Sequence, residues 1–148
     1  VARRSEQDGP AAAFLDSILD RISDAVIIFG LVLAGLINHA FGLLFLFLFM
    51  MISYTRSRAE NLGIEMMGIG WMERGERVIL LSLALIAETW IHSATWRFTH
   101  EQWVIENGFF SNIPITPFFA GFVVVYCLLL IITIGQRIRF SLEVLNEQ

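Results

Sequence analysis

The stretch Phe41-Gly42-Leu43-Leu44-Phe45-Leu46-Phe47-Leu48-Phe49-Met50-Met51-Ile52 carries no polar side chain and runs directly into Ser53-Tyr54-Thr55-Arg56-Ser57-Arg58. Such a run, apolar throughout and charged at one end, reads as a membrane-crossing helix over about 40–59, close to the roughly 20 residues that a bilayer requires. Working outward, the same pattern predicts spans over about 12–37, 76–96 and 117–139. With 56% hydrophobic residues and a mean hydropathy of +0.67, the 148-residue chain is too apolar for a soluble domain of its length. The expectation is an all-α, polytopic helix bundle, a single transmembrane domain over 1–148 with four spans.

The arginines orient these spans. Arg3, Arg4 and Arg21 precede or open the first, Arg56, Arg58, Arg74 and Arg77 lie between the second and third, and Arg137 and Arg139 close the fourth. Only Arg97 falls on the other side. The positive-inside rule therefore predicts a multi-pass protein of the cell membrane with the N-terminal segment, the 56–77 connection and the C-terminal tail in the cytoplasm. On the outer side, Asn38-His39 marks the end of the first span. The loop with Trp96, Trp103, Phe109, Phe110, Pro114 and Pro117 has the composition of an interfacial anchor. Gly63, Gly68, Gly70 and Gly75 predict a flexible inner connection.

Within the first span, Phe14-Leu15-Asp16-Ser17-Ile18-Leu19-Asp20-Arg21-Ile22-Ser23-Asp24 places three carboxylates at helical spacing. Residues four apart differ by about 40° around a helix, so Asp16 and Asp20 share a face and Asp24 lies near its edge. An ionised carboxylate at a membrane-helix centre costs roughly 2.5–3.5 kcal/mol on insertion scales. Such groups face a polar cavity, and a cationic partner is expected there. The topology brings the aspartates to the depth of Ser53, Arg56, Arg58, Glu73, Arg74, Glu76, Arg77 and Arg137. Carboxylates suit a hard cation, Mg²⁺ or Mn²⁺, and neighbouring guanidinium groups suit phosphate oxygens. Phosphoryl chemistry at a membrane surface is the reading that joins them.

These residues resemble the CDP-alcohol phosphatidyltransferases, whose signature runs Asp-x-x-Asp-Gly-x-x-Ala-Arg, eight or nine residues, then Gly-x-x-x-Asp-x-x-x-Asp. Ala2-Arg3 matches the Ala-Arg pair, Ala12 stands where the family usually has glycine, and Asp16 and Asp20 match the last two aspartates. The first residue is Val, and the signature's first half is expected in a segment preceding it. Asp20-Arg21-Ile22-Ser23-Asp24-Ala25, Ser53-Tyr54-Thr55-Arg56-Ser57-Arg58-Ala59-Glu60 and Glu73-Arg74-Gly75-Glu76-Arg77 are similar to the inositol-phosphate branch. The resemblance implies six spans, four of them in this sequence, and attack of an acceptor hydroxyl on the β-phosphorus of a CDP-linked lipid with release of CMP. It further implies Asp16 and Asp20 as metal ligands, Asp20 as the base, and Arg3 and Ala12 near the CDP-lipid. Ser53, Arg56, Arg77 and Arg137 would bind the phosphate of the acceptor, with inositol 1-phosphate first and glycerol 3-phosphate or another polyol phosphate second.

Competing readings follow from the same residues. Asp16 and Asp20 would, in a purely structural role, pair with Arg21 and Arg77 at a helix mouth. Asp24 reads as a helix–helix hydrogen-bonding group, Arg58, Arg74 and Arg139 as headgroup or topology arginines, and Glu88 as a structural partner of His92. An ion or proton carrier would use the aspartates and Glu88 as a path, but the charge clusters at one face while most of each span is apolar. A non-catalytic membrane partner of the same fold is the third alternative. Gly30, Ala34 and Gly35 offer a small-residue strip for a homodimer seam. Cys127, the only cysteine, excludes an internal disulfide and reads as packing. There is no basic excess of the kind nucleic acid requires.

Overall fold

The computed structural model describes residues 9–99, 104–105 and 109–147. Four helices form it: α1 (Pro10–Leu33), α2 (His39–Asn61), α3 (Arg74–Thr99) and α4 (Pro117–Asn146). The expected all-helical bundle is borne out. By length and composition α2, α3 and α4 are each able to cross a membrane. The first helix is long enough, but Asp16, Asp20, Arg21 and Asp24 fill its first half with charge, and only its second half is continuously apolar.

Helix boundaries depart from expectation where local chemistry intervenes. Pro10 starts α1, where its missing N–H costs nothing and its fixed φ suits the first turn. The first helix stops at Leu33 rather than continuing to Ile37, because Gly35 adopts φ 76°, a left-handed conformation that ends a helix. Asn38 does not close α1 but caps α2, its side chain accepting the Phe41 N–H at 2.9 Å. At the other extreme α4 passes Arg139 and continues to Asn146, since Phe140 and Val144 keep the apolar period and pack on Ala59, Ile64 and Met66. Arg137 and Arg139 are therefore inside that helix, not at its end.

One core holds the bundle, with Ile28 and Leu31 of α1, Phe45, Phe49 and Ile52 of α2, Leu81 and Ala84 of α3 and Phe119, Tyr126 and Leu130 of α4. Cys127 packs against it, as its apolar setting predicts. Gly42 is where α1 and α2 approach: a Cβ there would stand 2.3 Å from Val32 Cγ2. Valine cannot rotate away cheaply, so Gly42→Ala is expected to lower stability by about 1–3 kcal/mol. Thermal unfolding in detergent micelles measures this, and an unchanged midpoint would remove the close approach from the fold's requirements.

The two ends differ in construction. Glu88 does not turn to His92. It is buried, and its carboxylate accepts the Thr116 N–H at 2.8 Å and the Thr116 hydroxyl, which fastens α3 to the first turn of α4. Beside it, residues 110–116 fold back over the bundle: Asn38 N–H donates to Phe110 O at 2.8 Å, Asn112 N–H to Gly35 O at 2.9 Å, and Phe41 stacks among Phe109 and Phe110. Part of the expected interfacial anchor is thus a lid on the core, while Trp96 stays largely exposed; Trp103 lies outside the described residues. Of the small-residue strip, Gly35 faces Ile113 of the same chain, whereas Gly30 and Ala34 remain on the surface.

Candidate functional site

At the opposite end, the aspartates of α1 line a cavity of about 600 Å³ whose other walls come from α2, α3 and α4. Helical spacing makes a column of the carboxylates, with Asp16 exposed at the mouth, Asp20 half-buried, and Asp24 buried at the base. On α2 the residues Ser53, Arg56, Ser57 and Glu60 recur at i, i+3, i+4 and i+7, so all four reach the same wall. The first turn of α3 adds Arg74, Gly75 and Arg77, and α4 adds Arg137. A helix start concentrates positive potential, and here it does so beside two of its own arginines.

Ion pairs cross the cavity. Arg74 reaches Asp20 Oδ1 at 2.8 Å and Asp24 Oδ1 at 3.8 Å, and also donates to Ser23 Oγ. Arg77, only 3% exposed, lies 3.4 Å from Asp24 Oδ2 with its guanidinium 4.5 Å above the ring of Phe49. Asp24 Oδ1 and Arg77 Nε and Nη1 are buried without a hydrogen-bond partner, so this pair is held by charge and cation–π attraction. Arg56 pairs with Glu60 at 2.8 Å on the exposed rim. The backbones of α1 and α3 do not come together among the described residues, which leaves the acid–arginine pairs as their link at this end.

Of the site residues read from the sequence, Asp16, Asp20, Ser53, Arg56, Arg77 and Arg137 all line this one cavity. Ala12 sits one turn before Asp16, exposed and away from the walls. Arg3 lies outside the described residues. The structural pairing expected for the aspartates is different in detail: Asp20 pairs with Arg74, and Arg21 turns back to the Ser17 carbonyl. Arg74 was the arginine the sequence reading left out of the site. Its signal was present, because Arg74 and Arg77 are three apart on one helical turn and share a face. Tyr126, whose hydroxyl donates to the Arg77 carbonyl at 3.0 Å, had no signal in an apolar span.

Two carboxylates one helical turn apart suit a hard divalent cation, because Mg²⁺ is commonly held by one or two carboxylates together with substrate phosphates. Among the described residues no group of three His, Cys, Asp or Glu side chains converges as an all-protein cage. Asp16 and Asp20, one turn apart toward the mouth of the cavity, fit such an ion as part of a ligand set.

No protein-family model matches the chain. Among curated proteins it is 45% identical over 92 residues to the archaetidylinositol phosphate synthase of Methanothermobacter thermautotrophicus, covering 62% of this chain and 47% of the relative. The archaetidylinositol phosphate synthase of Pyrococcus horikoshii is 43% identical over 84 residues, 57% of this chain and 45% of the relative. The phosphatidylinositol phosphate synthase of Streptomyces avermitilis is 32% identical over 90 residues, 57% and 37% respectively. The chain therefore spans less than half the length of these relatives. The resemblance read from the aspartates and arginines stands: the chain is similar to archaetidylinositol and phosphatidylinositol phosphate synthases, consistent with the CDP-alcohol phosphatidyltransferases.

Proposed function

We propose that this chain forms the acceptor-side part of a membrane transferase that moves a phosphatidyl-type group from a CDP-linked lipid to inositol 1-phosphate and releases CMP. One observation carries the reading: a single cavity is lined by Asp16 and Asp20 on one wall and by Ser53, Arg56, Arg77 and Arg137 on the others. The names of the related proteins support the acceptor. The reaction belongs on the cytoplasmic face of the cell membrane, where the arginine-rich end of the bundle would lie by the positive-inside rule.

In this mechanism Asp16 and Asp20 would hold Mg²⁺, or Mn²⁺, which would supply charge neutralisation to the diphosphate of the donor. Arg56, Arg77 and Arg137 attract the acceptor phosphate, and the Ser53 hydroxyl donates a hydrogen bond to it. Asp20, one turn below the mouth, takes the proton of the acceptor hydroxyl as its oxygen attacks the β-phosphorus. The new P–O bond forms as the bond from that phosphorus to the bridging oxygen breaks, and the bridging oxygen leaves with CMP. Arg74, 2.8 Å from Asp20 Oδ1, orients that carboxylate across the cavity.

The test is CMP release by the full-length protein in lipid nanodiscs with Mg²⁺, comparing inositol 1-phosphate, glycerol 3-phosphate and free inositol. Release with inositol 1-phosphate alone is the expected result. Release with glycerol 3-phosphate alone would keep the chemistry and overturn the acceptor, and release with none would overturn the reaction.

A further inference from the structure

The inner half of α4 contributes little charge to the cavity yet touches nearly everything around it. Arg137 is 2% exposed, and two of its nitrogens are already committed: Nε donates to Ile69 O at 2.9 Å and Nη1 to Ile52 O at 2.8 Å. One carbonyl adjoins Ser53 on α2, and the other lies on the connection leading into α3. Thr133 Oγ accepts the Met72 N–H at 3.2 Å while donating to Leu129 O at 2.8 Å, and Gln136 Oε1 accepts the Trp71 N–H at 3.2 Å. These contacts follow helical spacing, Thr133, Gln136 and Arg137 standing at i, i+3 and i+4 on one face.

Gly70 is shaped to this face. Its φ of 101° is open to glycine, and an added Cβ would meet Thr133 Cγ2 at 2.8 Å and Arg137 Nε at 3.1 Å. The connection expected to be flexible is therefore pegged at Ile69, Trp71 and Met72, immediately before Arg74 and Arg77 of the cavity. Neither Gly70 nor Thr133 nor Gln136 lines the cavity itself.

We propose that the inner half of α4 is a positioning element for acceptor recognition, in which Thr133, Gln136 and Arg137 set the distance between the Ser53–Arg56 wall and the Arg74–Arg77 wall. This rests on the phosphate-binding reading of that cavity. Arg137 is the hinge of the arrangement, because one guanidinium joins both walls through their backbones. Thr133 and Gln136 act at one remove, on segment 69–72 alone. A shift of one wall relative to the other weakens the charge-assisted bonds that a phosphate held by both would make.

The experiment uses the full-length protein in nanodiscs, with Thr133→Val, Gln136→Leu, Gly70→Ala and Arg137→Gln compared with the exposed control Arg139→Gln. Thr133→Val and Gln136→Leu, which remove hydrogen bonds outside the cavity, are each expected to raise the KM for inositol 1-phosphate by about threefold to tenfold, leaving kcat and the KM for the CDP-lipid within about twofold. Hydrogen exchange supplies an activity-free reading: the Trp71 and Met72 amides, protected in the parent, exchange faster in Thr133→Val and Gln136→Leu. An unchanged acceptor KM in both Thr133→Val and Gln136→Leu would overturn the positioning role. Unchanged exchange at 71–72 would overturn it as well. If the parent protein releases no CMP, the functional reading fails separately, and the exchange data still decide whether α4 holds the segment.

Discussion

Asp20→Asn in the full-length protein is expected to lower CMP release at saturating substrates by about 10²–10⁴-fold, the range for loss of a positioned general base. Asparagine keeps the shape of the side chain but cannot take a proton, and it withdraws one anionic partner from Arg74, now 2.8 Å away. The effect is separable from that of Asp16, which is exposed at the mouth and lacks the ion pair with Arg74. Asp16→Asn should weaken Mn²⁺ binding, read by electron paramagnetic resonance, more than it changes turnover at saturating metal. A rate for Asp20→Asn within about threefold of the parent would take Asp20 out of the proton transfer.

The second large effect concerns stability. Asp24 and Arg77 are both nearly inaccessible and lie 3.4 Å apart, so removing Asp24 leaves Arg77 buried without its counter-charge, and removing Arg77 leaves Asp24 only the longer contact with Arg74 at 3.8 Å. Asp24→Leu is expected to cost about 3–5 kcal/mol, and Arg77→Met a similar amount. The pair of substitutions together should recover most of that loss, because two apolar side chains of similar volume satisfy the site without desolvated charge. Unfolding of the three variants in one detergent measures the coupling. If the double variant is no more stable than either single one, the ion pair is not what links α1 to α3. A stable double variant that releases no CMP would separate the pair's structural contribution from its place in the anion pocket.

How far the sequence led depended on periodicity. The carboxylate column and the Ser53–Arg56 face were readable because helical spacing alone aligns them, and a charged residue in an apolar span has few places to go. Three helices followed from long apolar runs, and α1 from the apolar run of its second half together with the helical spacing of its aspartates. What was not readable depended on contacts between distant segments. Nothing near Glu88 points to Thr116 rather than His92, since the choice is made by where α4 begins. The pegging of Gly70 likewise requires Thr133 and Arg137 to arrive from the far end of the chain. Gly35 and Asn38 did carry local signals, a left-handed glycine and a cap, and they moved the boundary that hydropathy had set by a few residues.

The depth of the acidic column has a bearing on insulation. From Asp24 to Leu33 the first helix rises only about 14 Å, roughly half the thickness of a hydrocarbon core. Water reaching Asp24 would leave the remaining half to separate two compartments, and that half is closed by Ile28, Leu31, Phe45, Phe49 and Tyr126, all nearly inaccessible. The aromatic contacts of Tyr126 with Phe45 and Phe49 fill that half, so an acidic cavity at one end of the bundle is compatible with a closed core behind it.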